Sequence, residues 1–193
     1  TAAFHFAKQA CINQCKTITI KSFYAIERCS SFKRVLKHFS LHRNPHLCNM
    51  QERHISYEQL VQFTQSIFEK VEVAQASEAA KALLSADLRG VDSHGVARLS
   101  GYLRLIDAGR VNPKAIPKVM HETPSTATVD GDKGLGLIVA PFAMQTAIDK
   151  AKQTGTGWVS VKNSNHFGIA AYHAMMALEH DMIGIAMTNA SAL

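Results

Sequence analysis

Asp92, Ser93 and His94 stand together in this 193-residue chain, with Arg98 four residues past the histidine and Tyr102 four beyond that. On an α-helix beginning after Asp92, His94, Arg98 and Tyr102 fall at i, i+4 and i+8 and line one side. An imidazole, a guanidinium and a phenol in one row can move a proton and hold an anion. The apolar positions Val96, Leu99, Leu103 and Ile106 lie about 120° around the same helix, so the core contact and the polar row are separate. With Asp92 or Ser93 as the cap, His94 sits in the first turn, where the helix dipole and Arg98 favour the neutral ring until an anionic ligand offsets them. The same residues also suit a capped surface helix without chemistry. A serine-hydrolase relay is disfavoured, because adjacent side chains normally point apart and no nucleophile elbow is present.

A second polar cluster is Lys162-Asn163-Ser164-Asn165-His166-Phe167-Gly168. It places two amides, a hydroxyl and an imidazole at the end of an expected strand, where α/β proteins commonly build sites, although such residues also make ordinary turns. His166, His173 and His180 recur every seven residues, two helical turns apart. Zinc-binding helices use i, i+4 instead, so no metal is expected. Gly131, Gly134 and Gly136 invite a phosphate-loop reading, but Val139 occupies the third small-residue position of a Rossmann fingerprint. A Walker lysine and hydroxyl are missing too, and a glycine-rich turn is the simpler account.

The elements that must carry these clusters follow from periodicity. Ser56 and Gln59 form a capping-box pattern ahead of Leu60, Phe63 and Ile67, which predicts a helix ending near Lys70. Residues 74–88, rich in Ala, Glu, Lys and Leu, predict a second helix. The third follows Asp92 and stops at Gly109, after which Pro113, Pro117 and Pro124 keep the chain extended and irregular. Strands are expected at 126–130, 158–161 and 182–187, and helices at 138–152 and 170–180. This strand–helix alternation, taken alone, suggests an α/β sheet with parallel crossovers.

Composition divides the chain at Met50. Residues 1–49 hold eight Lys or Arg against the single Glu27, a net +7 within an overall +6, so the remainder sums to −1. Nucleic-acid binding inferred from the charge would rest on that leader alone. Cys11, Cys15, Cys29 and Cys48 also fall there, without zinc-finger spacing or a disulfide framework. A basic, acid-poor leader suits a transit peptide or sequence upstream of a start at Met50. No apolar run approaches a membrane span. A strand ending a few residues before Leu193 lacks neighbours, which suggests a fragment of a longer protein.

Taken together, the run from Arg89 to Leu99 with Tyr102, then Asn163-Ser-Asn-His-Phe-Gly, then Met187-Thr-Asn, resembles the type 2 malate/L-lactate dehydrogenases, which include ureidoglycolate and sulfolactate dehydrogenases and reductases of diketogulonate and cyclic imino acids. The likeness runs from about Ser56 to Leu193. It implies an α/β fold with a helical N-terminal region at 50–124, then at 125–193 part of a non-Rossmann, largely antiparallel-sheet NAD(P)-binding domain, truncated. Its strands would not be neighbours in sequence order. It further implies an NAD- or NADP-dependent oxidoreductase, homodimeric when complete, moving a hydride between nicotinamide and C2 of a small anionic 2-hydroxy or 2-oxo acid. Metal, nucleic acid and membrane are not implied. The location would be cytoplasmic, or mitochondrial if residues 1–49 are a transit peptide.

By the same resemblance His94 is the acid/base group, Ser93 orients it, and His166 is a second site histidine whose role could be exchanged with it. Arg98, Tyr102 and Asn165 would bind substrate, and Thr188, Asn189 and Ser191 would lie near the cofactor. The 193 residues alone are expected to lack turnover. The competing reading is a non-catalytic α/β binding or dimerisation module.

Overall fold

A computed structural model of the chain describes residues 17–20 and 53–189. The four cysteines, most of the basic leader and Ser191 lie outside the described residues. Strand β1 (Thr17–Ile20) pairs antiparallel with β2 (Arg53–Ser56), which leads directly into α1 (Tyr57–Lys70). Ser56 caps α1, its hydroxyl accepting the Gln59 N–H at 3.2 Å, as the capping-box pattern predicts. Helix α2 (Ala76–Leu84) is shorter than expected. It gives way to three 3-10 turns, Asp87–Arg89, Asp92–His94 and Val96–Arg98, before α3 (Leu99–Asp107) begins.

The continuous helix expected after Asp92 is therefore not formed. Gly95 has φ −92° and ψ −142°, a non-helical conformation that breaks the ladder between His94 and Val96. Neither Asp92 nor Ser93 caps the Asp92–His94 turn. Asp87 instead holds the start of the following turn, its carboxylate accepting the Val96 N–H at 2.8 Å.

The second half is a three-stranded sheet in the order β3-β4-β5, with β3 Lys118–Glu122, β4 Thr126–Gly134 and β5 Trp158–Ser164. Strands β3 and β4 pair antiparallel, with an irregularity between Val119 and His121. Strands β4 and β5 pair parallel, crossing over through α4 (Gly136–Thr154). Two of the three described pairings are thus antiparallel, and the fold is the mixed α/β domain that the resemblance implies. The crossover matches the periodicity reading. Three expectations are corrected. The strands are neighbours in sequence order, and β3 lies within the stretch read as irregular. Residues 182–187 form no strand, since no described strand pairs with them, although their exposure still alternates. Helix α5 (Ala170–Met176) ends in a 3-10 turn, Ala177–His180, and completes the described elements.

One core joins the two halves. Leu60, Ile67 and Phe68 of α1, Leu83 and Leu84 of α2, and Leu99 and Leu103 of α3 are buried together with Leu135, Leu137 and Ile138 at the start of α4. The first turn of α4 is therefore docked against the helical region. Its far end is fastened separately, where buried Lys150 donates to the Glu122 carboxylate at 2.9 Å and the Thr123 carbonyl at 2.7 Å. Those bonds satisfy the ammonium that burial would otherwise leave exposed to a poor solvent.

Candidate active site

His94 and His166, 72 residues apart, face each other across the junction of the two halves. Their ring centroids are 5.6 Å apart at an interplanar angle of 28°. His94 belongs to the 3-10 turn that Asp87 supports. Gly95 beneath it has no room for a Cβ, which would collide with the Asp87 carboxylate. Burial, opposed by the Val96 hydrogen bond, raises the Asp87 carboxyl to about 6. Ser93 Oγ lies 2.9 Å from His94 Nδ1, and a hydroxyl can donate to that nitrogen or accept from it. Arg98 turns back and donates its Nε–H to the Ser93 carbonyl at 2.8 Å. That bond orients the guanidinium and leaves its Nη groups available to an anion.

His166 is held differently. Near the end of strand β5 Asn163 has φ 51°, within the register irregularity that precedes the last pair, Gly134 with Ser164, and the loop follows. Gly168, with φ 80°, directs its N–H at His166 Nδ1 at 3.3 Å, and a side chain there would be strained. Tyr102, 3% exposed, places its hydroxyl 2.6 Å from the same nitrogen. A backbone N–H can only donate, so Nδ1 is an acceptor and the neutral ring carries its proton on Nε2. Burial, with Arg98 and then His94 adding to it, pushes the His166 pKa below its ordinary value. Burial also raises the Tyr102 phenol, which stays protonated and able to donate. Tyr102 thus holds a histidine. That role was not legible from its place four residues after Arg98.

Beside these groups runs an open cleft of about 490 Å³, lined by Arg98, Gly101, Tyr102, Leu105, Arg110 and His166 among others. The structure accordingly brings together Ser93, His94, Arg98, Tyr102 and His166. It does not bring Asn165, Thr188 or Asn189 to that cluster. Asn165 donates its amide to the carbonyls of Lys133 at 2.9 Å and Gly134 at 3.1 Å, tying the loop to the end of β4. Thr188 and Asn189 are exposed on the chain after α5, where the Thr188 hydroxyl bonds the Asn189 carbonyl at 3.3 Å. Asp87, Gly168 and His173 are the neighbours that sequence reasoning missed. Only the glycine two residues after His166 carried a local signal.

The glycine cluster does not fit a dinucleotide's phosphates. A Cβ on Gly136 would meet the Asn165 and His166 carbonyls and Phe167 Cα, and one on Gly131 would meet the Asn163 carbonyl. These glycines admit the site loop, and their space is filled by protein. What the described residues bring together is two imidazoles, a phenol and a guanidinium, groups that can move a proton and hold an anion. Among them there is no cluster of three or more metal-ligating side chains, and no helix long and apolar enough to cross a membrane.

Comparison with known proteins identifies the family. The family model described as malate/L-lactate dehydrogenase matches residues 55–193. A malate dehydrogenase of Pyrococcus abyssi is 52% identical over 111 residues, which are 58% of this chain and 31% of the relative. An L-sulfolactate dehydrogenase of Methanocaldococcus jannaschii is 47% identical over 110 residues, 57% of this chain and 32% of the relative. The solved malate dehydrogenase of Pyrococcus horikoshii OT3 superposes with a TM-score of 0.63 at 46% identity, covering 64% of this chain and 36% of that one. The chain thus spans about a third of the length of these relatives. With the family model matched over most of its length and the fold shared with a solved member, the chain belongs to the malate/L-lactate dehydrogenase family.

Proposed function

We propose that the protein carrying this chain is an NAD(P)-dependent oxidoreductase that transfers a hydride between nicotinamide and C2 of a 2-hydroxy or 2-oxo acid such as malate or lactate. The observation that carries the reading is the facing pair His94 and His166 beside the Arg98 guanidinium. Reduction of a 2-oxo acid adds a hydride at C2 and a proton at its oxygen. The nicotinamide supplies the hydride, and this chain supplies the remaining needs.

Arg98 binds the substrate carboxylate through its Nη groups, a paired contact for which a guanidinium is shaped. His166 donates its Nε2–H to the C2 oxygen, since Tyr102 and Gly168 occupy Nδ1. His94 exchanges the proton. In reduction its imidazolium gives the Nε2 proton to the oxygen, and in oxidation the neutral ring takes it back. Nδ1 keeps its proton in both states, and the Ser93 hydroxyl accepts from it throughout, which leaves Nε2 as the exchanging atom. Asn165 stays near the substrate side through its loop, while Thr188, Asn189 and Ser191 are assigned to the cofactor side. The working protein is a homodimer with a boundary near residue 124 between its helical region and its cofactor domain.

A panel of 2-oxo acids assayed with NADH and with NADPH tests the reading in the full-length protein. Oxidation of either cofactor with pyruvate, oxaloacetate or a close analogue is expected. No oxidation with any 2-oxo acid would reject the proposal. The 193 residues alone are expected to give no turnover in the same assay.

A further inference from the structure

His173 does not reach the cleft, yet it sits directly behind the His166 loop. It is 1% exposed, on α5. Its Nε2 lies 2.8 Å from the Phe167 carbonyl. A carbonyl only accepts, so Nε2 carries the proton and Nδ1 is a bare lone pair. That Nδ1 is buried with no hydrogen-bond partner. The Phe167 ring stacks on the imidazole at 4.9 Å and 21°, and Tyr172 meets it edge-on at 5.4 Å.

A phenylalanine could occupy this apolar position without burying an unpartnered nitrogen, so filling volume does not explain the imidazole. Its Nε2–H does. The carbonyl it holds belongs to the residue between His166 and Gly168, and the peptide it fixes is the one whose N–H points at His166 Nδ1. On the opposite side the loop backbone is pressed against Gly136, which has no space for a Cβ. The loop is clamped between α4 and His173.

We infer that His173 is a positioning residue, whose Nε2–H fixes the Phe167 carbonyl so that His166 keeps Nδ1 on Tyr102 and Gly168 and presents Nε2–H to the cleft. The catalytic value of that placement rests on the function proposed above, but the placement itself does not.

Histidine tautomers in the full-length protein, labelled with ¹⁵N-histidine and observed through long-range ¹H–¹⁵N couplings at pH 7.5, test it directly. Wild-type His166 and His173 should both appear as Nε2–H forms. His173→Phe keeps ring, stacking and volume but removes the donor. His166 should then become a mixture of tautomers, and kcat should fall about tenfold through misplacement while KM changes less than about twofold. His173→Gln, which returns an N–H near the lost one, should restore the single His166 form. If the phenylalanine variant fails to fold, His173→Gln against His173→Met reads the same contrast. An unchanged His166 spectrum without the donor overturns the inference, as does an Nδ1–H form of wild-type His173. A changed spectrum in a protein without dehydrogenase activity would keep the inference and reject the functional proposal instead.

Discussion

His94 stands in a turn supported from below by a carboxylate, whereas His166 stands in a loop tied from behind by an imidazole. Asp87 reaches Val96 and fills the space under Gly95, so the first support acts through packing as well as a hydrogen bond. His173 and Tyr102 act through single hydrogen bonds to Phe167 and to His166. Both supports fit best when uncharged, but they reach neutrality from opposite sides of the pH scale. The Asp87 carboxyl is neutral below about 6. His173 is held neutral by burial at pH values where a free histidine is already protonated. The two halves of the site are therefore stabilised in overlapping but different pH ranges.

The largest test of this contrast is catalytic. In the full-length protein His94→Ala should lower kcat by about 10²–10⁴, the range for a lost proton-transfer group. His166→Gln, which retains an N–H donor, should cost about tenfold at most if only a hydrogen bond is weakened. Steady-state rates with one 2-oxo acid check both. Normal turnover in His94→Ala would exchange the two roles.

Next come the glycines. Gly95→Ala forces a methyl into the Asp87 carboxylate and should destabilise by about 1–3 kcal/mol. Gly168→Ala strains a left-handed residue and should cost about 1–2 kcal/mol. Denaturant melts of the two variants compare the two halves, and a tolerated Gly95→Ala would show that the Asp87 support is loose.

Asp87 gives a pH signature. Its folded pKa of about 6 exceeds its ordinary 3.8, so its contribution to stability is complete below about pH 4 and is lost as pH rises through about 6. Screening reduces the effect for a half-buried group to about 1–2 kcal/mol. Asp87→Asn keeps an acceptor for Val96 and should melt above wild type at pH 7.5 but level with it at pH 4. A lower melting temperature at pH 7.5 would show that the charge itself is needed.

The smallest expected effect has the opposite sign. The folded pKa of His173 lies below 6.5, so its contribution is complete above that pH and is lost as pH falls beneath it, where the unfolded chain takes up a proton first. Thermal melts of His173→Phe between pH 7.5 and 5 should decline less steeply than wild type. Parallel curves would place the acid sensitivity elsewhere.

Much of the framework was legible because local signals agreed with the fold. Ser56 and Gln59 announced α1, and the apolar runs announced β4, α4 and β5. Strand β3 escaped because it is exposed along its whole length and offers no apolar alternation to read. Residues 182–187 misled for the converse reason, since their alternation is strand-like but nothing described pairs with them. Within the site, His94, Arg98 and His166 were visible through motif resemblance. Their geometry was not, because it depends on contacts distant in sequence. Asp87 to Val96 spans nine residues, and Tyr102 to His166 spans 64. The helix expected after Asp92 failed at Gly95, where a contact with Asp87 overrode a sound helical pattern.

The seating of the His166 loop on Gly136 makes the site a gauge of docking. His94 is carried by the helical region and His166 rides on the first turn of α4, so the 5.6 Å between their rings reports how closely those parts approach. Leu135, Leu137 and Ile138 set that approach from inside the shared core. A cavity opened at Leu137, whose side chain lies against Gly168 of the loop, would widen the gap between the histidines without removing a single polar group of the cleft.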